Sequence, residues 1–262
     1  MRDFFLAKAF SLPPTKEDQW LSHLDKPEKY PGWHSFSGYS DLHEFERDAC
    51  YIASSVIIFL ESPGALAEAG ALAIDEHLPE NLFIVTRDEH YSAQSYIRLG
   101  PITRVQNLNG GICIVNGAPN ERLSDDDFEI IKDHFSVWNP NFRKTEKFNP
   151  ENKTHQLLII GDLVNLLLVS KADDLLKILT HLDVQISRNK LEKYLNLLSF
   201  FEVIILIKRG YETFYKSHPD FSESIDYKAV KEKRFSRTSF LAARQDEIKL
   251  DKRAAYIWGG GN

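Results

Sequence analysis

The sequence predicts an α/β protein in which a domain built on a parallel sheet is followed by a smaller, mainly helical domain. Two continuous runs of β-branched and aromatic residues, SVIIFL (55–60) and LFIVT (82–86), flank an alanine-rich helical stretch. Strands without polar alternation are covered on both faces, as in parallel sheets. A polar, aperiodic segment with two prolines, residues 139–153, interrupts the chain as a linker does. Beyond it, three helical stretches precede a strand-turn-strand pattern. The expected domains are therefore residues 1–140 and 141–262.

The elements follow in order. Phe4 to Phe10 is a short apolar stretch, ended at Leu12-Pro13-Pro14 because proline cannot continue a helix and restrains the residue before it. Residues 30–34 (YPGWH) read as loop. Asp41 is placed to cap a helix whose apolar positions Leu42, Phe45, Ala49, Ile52 and Ala53 recur at three and four residues. That helix feeds the first strand, which Glu61-Ser62-Pro63-Gly64 breaks. A helix from Ala65 to about Glu76, the strand 82–86 and a third strand from Ile112 to Val115 come next. Ser124 and the Asp125-Asp126-Asp127 run open a helix to about Val137, since unpaired N–H groups and the helix dipole favour negative charge there. After the linker come helices over 156–169, 172–182 and 187–198. Phe201 to Ile207 (FEVIILI) then reads as a strand, Lys208-Arg209-Gly210 as a turn and 211–215 as the hairpin partner. Three helices plus a hairpin make a winged-helix pattern. A last helix, roughly Ser224 to Arg244, is rich in Lys and Arg.

Composition narrows the classes. The longest apolar runs, around 156–170 and 199–207, are interrupted by Asp162 and Glu202 and fall short of the roughly 18 to 20 residues of a membrane span. With no apolar leader after Met1-Arg2-Asp3, the expectation is a soluble, cytoplasmic protein without membrane association. Cys50 and Cys113 read as buried, reduced thiols. No HExxH pattern exists among the nine histidines, the Asp41-x-His43-Glu44-x-Glu46 string reads as an exposed helix start, and neither metal nor cofactor is expected. The net charge of −6 is uneven: from Glu151 onward 18 Lys and Arg face 15 Asp and Glu (+3), leaving 14 against 23 (−9) before it. A mildly basic second half is compatible with a phosphate-backbone partner.

The string carrying chemistry is SVIIFLESPGALAEAGALA (55–73). A buried strand, a Pro-Gly turn and a helix N-terminus put backbone donors and carboxylates at the carboxyl edge of a parallel sheet, where open α/β folds bind ligands. Glu68 lies among small residues that let a ligand approach, and Glu61 at the strand end is placed to reach the same cavity. One carboxylate can capture an oxocarbenium-like centre while a second manages protons; the alternatives are a solvent-facing helix glutamate and a turn-capping carboxylate. Ser62 and Gly64 in the turn, with Ser95 and Arg98 further on, are candidate contacts to ribose, phosphate or base. In the second half, Arg188, Lys190 and Lys193 on the third helix, and Lys208 and Arg209 in the hairpin turn, stand where a winged helix contacts phosphates. A solvated basic face explains them as well.

The pattern Gly64, Glu68, Gly70, Ala73 after a strand ending in an acid resembles the nucleoside 2-deoxyribosyltransferase-like superfamily, in which the glutamate is the nucleophile at the anomeric carbon. It is more similar still to the deoxyribosyltransferase-like effector proteins of bacterial retrons. These also carry a string matched by Ser95, Tyr96, Ile97, Gly100 and Pro101, and a C-terminal winged-helix domain. The resemblance runs strongly from about Asp41 to Val105. Members open with a strand and a glycine-containing loop that hold substrate; this chain starts at what resembles the helix after them, FFLAKAF. The resemblance implies a Rossmann-like, nucleoside deoxyribosyltransferase-like first domain and an anti-phage toxin that cleaves an N-glycosidic bond of NAD or a related nucleotide. It implies restraint by a reverse transcriptase and a multicopy RNA–DNA hybrid; self-association into a homo-oligomer stays open. The alternative is a catalytically silent nucleotide-binding scaffold or transcriptional regulator.

Overall fold

Parallel strands need a crossover between them, and the chain supplies helices there. In the computed structural model, which describes residues 1–13, 18–26, 29, 32, 38–118, 121–139, 147–221, 225–227 and 235–259, two compact units form: Met1–Pro31 with Glu46–Glu146, and Gly32–Phe45 with Lys147–Asn262. No helix among the described residues is long and apolar enough to cross a membrane.

The first unit runs α1 (Arg2–Ser11), the greater part of α2 (Leu42–Cys50), β1 (Val56–Phe59), α3 (Pro63–Ala73), β2 (Leu82–Arg87), α4 (Asp88–Ser92), α5 (Thr103–Asn107), β3 (Gly111–Val115) and α6 (Asp125–Trp138). The strands pair in parallel in the order β1-β2-β3, with Phe59 opposite Val85 and Val85 opposite Cys113. Alternation then puts Phe59, Phe83, Val85, Cys113 and Val115 on one face, packed with Phe5 and Ala9 of α1 and with Phe128, Ile131 and Phe135 of α6. The opposite face carries α3 and α5, against β1 and β3. Ser124 caps α6 in a reciprocal box with Asp127, and Asp125 pairs with Lys8, so two of the three aspartates serve helix termination and surface pairing. Arg87, at the end of β2, is 1% exposed. It donates to the Asn116 carbonyl and, at 2.7 Å, to the Glu121 carbonyl, with the Asp127 carboxylate 3.7 Å away.

Cys50 and Cys113 are buried and unbonded to each other. Burial, then the Asp127 charge, push the Cys113 thiol up to about 12; burial, then the Glu68 charge, raise that of Cys50. Since the thiolate is the reacting species, neither cysteine of the folded protein is expected to take up iodoacetamide at pH 8, whereas both should after denaturation. Mass spectrometry reads this directly; rapid labelling of either thiol in the native state would contradict the packing.

The second unit contains α7 (Lys153–Leu167), α8 (Ala172–His181), α9 (Arg188–Phe200), β4 (Ile204–Arg209), β5 (Glu212–Ser217), α10 (Arg237–Leu250) and α11 (Lys252–Trp258). β4 and β5 form an antiparallel hairpin, and Ser170, between α7 and α8, bridges to Tyr215. Ile248 and Ile257 of the last two helices cluster with Phe214 and Val169, against Ile207. Buried Asp162 accepts from Arg237 at 2.8 and 3.1 Å and from the Tyr227 hydroxyl, fastening the start of α10 to α7. The remote piece 38–45 belongs here by its own contacts. Phe45, 1% exposed, meets Phe200 edge-on at 5.6 Å and stacks on Phe201 at 6.2 Å; Glu44 pairs with Lys193, and Asp41 caps the helix by accepting from the Glu44 amide at 2.8 Å.

Two sequence expectations shift. FEVIILI does not start the strand: α9 runs on to Phe200, Glu202 turns the chain with φ +57°, and Phe201 is used against Phe45. The strand begins at Ile204, so Lys208 and Arg209 are its last two residues and the turn is Gly210-Tyr211. The last helix begins at Arg237 rather than Ser224 and is followed by α11. Residues 222–224 and 228–234 lie outside the described residues, as does the YPGWH loop apart from Gly32.

Candidate functional site

The carboxyl edge of β1 leads straight into the α3 N-terminus. Ser62 is extended and its hydroxyl accepts from the Ala65 amide at 3.1 Å, with Pro63 in the first turn. This is an N-cap, worth about 1 kcal/mol to a helix, and capping is what Ser62 does in this fold. Gly64 is exposed beside it. Glu61 is bonded to the start of α1. Its carboxylate accepts from the Arg2 amide at 3.2 and 3.3 Å and from the Met1 ammonium, where a helix N-terminus favours negative charge.

Glu68 is half-buried on α3. After burial itself, its charge is the largest influence on the Cys50 thiol, followed by Glu46, Asp75 and Asp48, so four carboxylates surround the end of α2. Two of them are held by polar contacts: the Tyr51 hydroxyl donates to Asp75 at 2.6 Å, the His77 amide donates to the same oxygen at 2.9 Å, and Arg47 pairs with Asp48 at 3.2 Å. Burial, then the bond to Asp75, raise the Tyr51 phenol, which stays protonated. Asp48 is 4% exposed. The sequence signal for this network was the Arg47-Asp48 pair one turn before Tyr51, in a helix whose other face is apolar.

A cleft of about 460 Å³ lies on another side of α3, lined by Gly70, Ala73, Tyr96, Gly100, Pro101 and Arg104 among others. Two residues along a helix turn it by about 200°, so Gly70 and Glu68 look in nearly opposite directions. Tyr96, Gly100 and Pro101 of the second motif line this cleft. Ser95 accepts from the Arg98 amide at 3.3 Å; Arg98 donates to Thr103 at 2.9 Å and lies 4.2 Å from the Tyr91 ring centre. The segment Arg98–Ile102 is a π-helical turn with Pro101 inside it. The wider turn accommodates a residue that donates no amide bond.

The small residues of α3 divide into two kinds. Ala69 and Ala73 are fully buried and pack the helix on the sheet. A Cβ on Gly70 would meet nothing within 4 Å, and one on Gly64 only Ser62 Oγ at 3.7 Å, whereas one on Gly110 would fall 2.4 Å from the Pro79 carbonyl oxygen. Gly70→Ala is therefore expected to stabilise the protein by about 0.5–1 kcal/mol in denaturant melts, and Gly110→Ala to destabilise it. A destabilised Gly70→Ala would reveal a packing role for that glycine.

In the second unit the five basic residues fall into two groups. On α9, Arg188 pairs with Asp173 and Glu192, Lys193 pairs with Glu44 and lies 4.0 Å from the Tyr39 ring centre, and Lys190 lies 5.2 Å from that of Tyr194. On β4, Lys208 is exposed and Arg209 lies 5.1 Å from the Tyr256 ring centre.

Comparison with known proteins adds two findings. The model of a family described as STM3845 retron effector protein matches residues 5–206, which reach from α1 into β4. A curated Escherichia coli protein named "Retron Ec73 putative ribosyltransferase/DNA-binding protein" is 25% identical over 194 residues, 68% of this chain and 61% of that protein. The matched stretch thus spans less than two thirds of the relative's length.

Proposed function

This chain belongs to the family of STM3845 retron effector proteins, and from that premise we propose that its parallel-sheet unit breaks an N-glycosidic bond of a nucleotide through Glu68. The observation that carries the reading is the placement of Glu68: half-buried on the helix that leaves the carboxyl edge of β1, with its charge felt by the Cys50 thiol at the end of α2. The name of the Escherichia coli relative, a ribosyltransferase, supports glycosyl chemistry.

The carboxylate attacks the anomeric carbon, the C–N bond breaks, and its electron pair leaves with the base. Water then attacks the glycosyl ester, giving the free sugar, a proton and the restored carboxylate. A nicotinamide leaving group needs no proton, because its ring nitrogen is already cationic and regains the pair. Chemistry with one carboxylate suits a site where Glu61 is engaged by α1, and this favours NAD over an uncharged nucleoside. Ser62, Gly64, Ser95 and Arg98 remain proposed substrate contacts, Ser62 through the donor proton that its cap leaves over.

The second unit, with three helices ahead of its hairpin and the Ser170 bridge, is proposed to be a winged-helix module. It binds nucleic acid and joins the effector to the retron's reverse transcriptase and multicopy RNA–DNA hybrid, which restrain it as a toxin in anti-phage defence. The deciding experiment incubates the whole protein, with and without those partners, with NAD, deoxynucleosides and nucleotides, and resolves products by mass. Release of nicotinamide or a free base supports the glycosidase. Nucleotide binding without any product supports the silent scaffold or regulator.

A further inference from the structure

The β4–β5 turn holds an aromatic side chain that packs on nothing among the described residues. Arg209 is paired with Glu212, leaving Gly210 and Tyr211 as a two-residue turn. Gly210 has φ +61° and Tyr211 does not share that sign, the pattern of a turn with glycine at its first central position. Turn positions favour small polar residues for local reasons; Tyr211 is instead fully solvent-exposed, the most exposed large hydrophobic side chain among the described residues (109%, against 87% for Leu250).

The surroundings are cationic. Lys208 precedes the turn, Arg209 reaches Tyr256, and Arg253 donates to the Arg209 carbonyl at 3.3 Å. Lys171 and Arg253 both bind Glu212, and both act on Asp251. Among the described residues, four cations thus gather around two carboxylates here, while on α9 Arg188 and Lys193 are matched by acids within the unit. An exposed ring amid excess positive charge is the chemistry that holds unpaired bases: the cations track phosphates and the ring stacks on a base face.

We infer that the hairpin tip, with Tyr211 stacking on an unpaired or terminal base and Lys208 on the adjoining phosphate, is the nucleic-acid contact of the second unit, in place of the α9 surface. This rests on the nucleic-acid reading proposed above. The test uses the full chain, a blunt DNA duplex and the same duplex carrying a short single-stranded tail. The intact protein should prefer the tailed probe. Tyr211→Ala should weaken that binding by about tenfold, Tyr211→Phe should restore it, and Lys208→Gln should lower the salt slope by about one. Arg188→Gln should change neither. All three positions are exposed, so thermal unfolding should be unaffected. Equal binding of the tailed probe by Tyr211→Ala and the parent, with Lys208→Gln still effective, overturns the stacking tip and leaves the nucleic-acid reading standing. Loss of binding in Arg188→Gln returns the contact to α9. No binding of either probe by the parent protein overturns both readings.

Discussion

Glu68→Gln is expected to abolish glycosidic cleavage, lowering turnover by roughly 10³-fold or more. The amide keeps the size and much of the hydrogen bonding of the carboxylate but lacks the anionic charge that forms the bond to the anomeric carbon. Because Glu68 is only half-buried, stability should stay within about 1 kcal/mol of the parent, and the melting curve separates a lost nucleophile from a lost fold. Glu61→Gln is the informative partner: its carboxylate receives the α1 N-terminus, so it should lower stability while retaining measurable turnover. A well-folded Glu68→Gln protein with parental turnover would remove Glu68 from the reaction.

Arg87→Ala should be the most damaging single change to the first unit, at about 3–5 kcal/mol. The guanidinium is 1% exposed, and its removal strands the Asn116 and Glu121 carbonyls and leaves buried Asp127 without its cation. Together these groups hold the turn between β3 and α6. Arg87→Lys keeps the charge but loses the two-pronged geometry, so it should fall between Ala and the parent. Thermal unfolding measures both: a shift on the order of 10 °C is expected for Ala, and a shift under 2 °C would mean that water replaces the guanidinium without cost.

What the sequence revealed follows physical range. The three strands were legible because continuous β-branched runs leave few alternatives to a sheet covered on both faces, and the α6 start was legible because a Ser-x-x-Asp box is local. The placement of Glu68 at a strand-to-helix junction was legible for the same reason. Its neighbours were not. Asp48 looked like any charged helix residue until Arg47 and the burial of that helix enclosed it. Pro101 was visible only as part of the string carrying the resemblance, and nothing local reports the π turn that absorbs it. The assignment of residues 32–45 to the second unit depends on Phe45 meeting Phe200 and Phe201, which no local pattern reports. The basic residues of α9 were visible as charges, but whether acids oppose them is a property of the fold.

The interrupted second unit also sets an order of events during synthesis. Glu44 and its partner Lys193 stand 149 residues apart, so at ribosomal speed the Phe45 segment emerges on the order of ten seconds before α9 exists to receive it. The sheet of the first unit is complete in sequence during that interval, while an apolar side chain destined for the second unit waits uncovered. A nascent chain stopped before Phe200 therefore lacks both rings that cover Phe45 in the finished second unit.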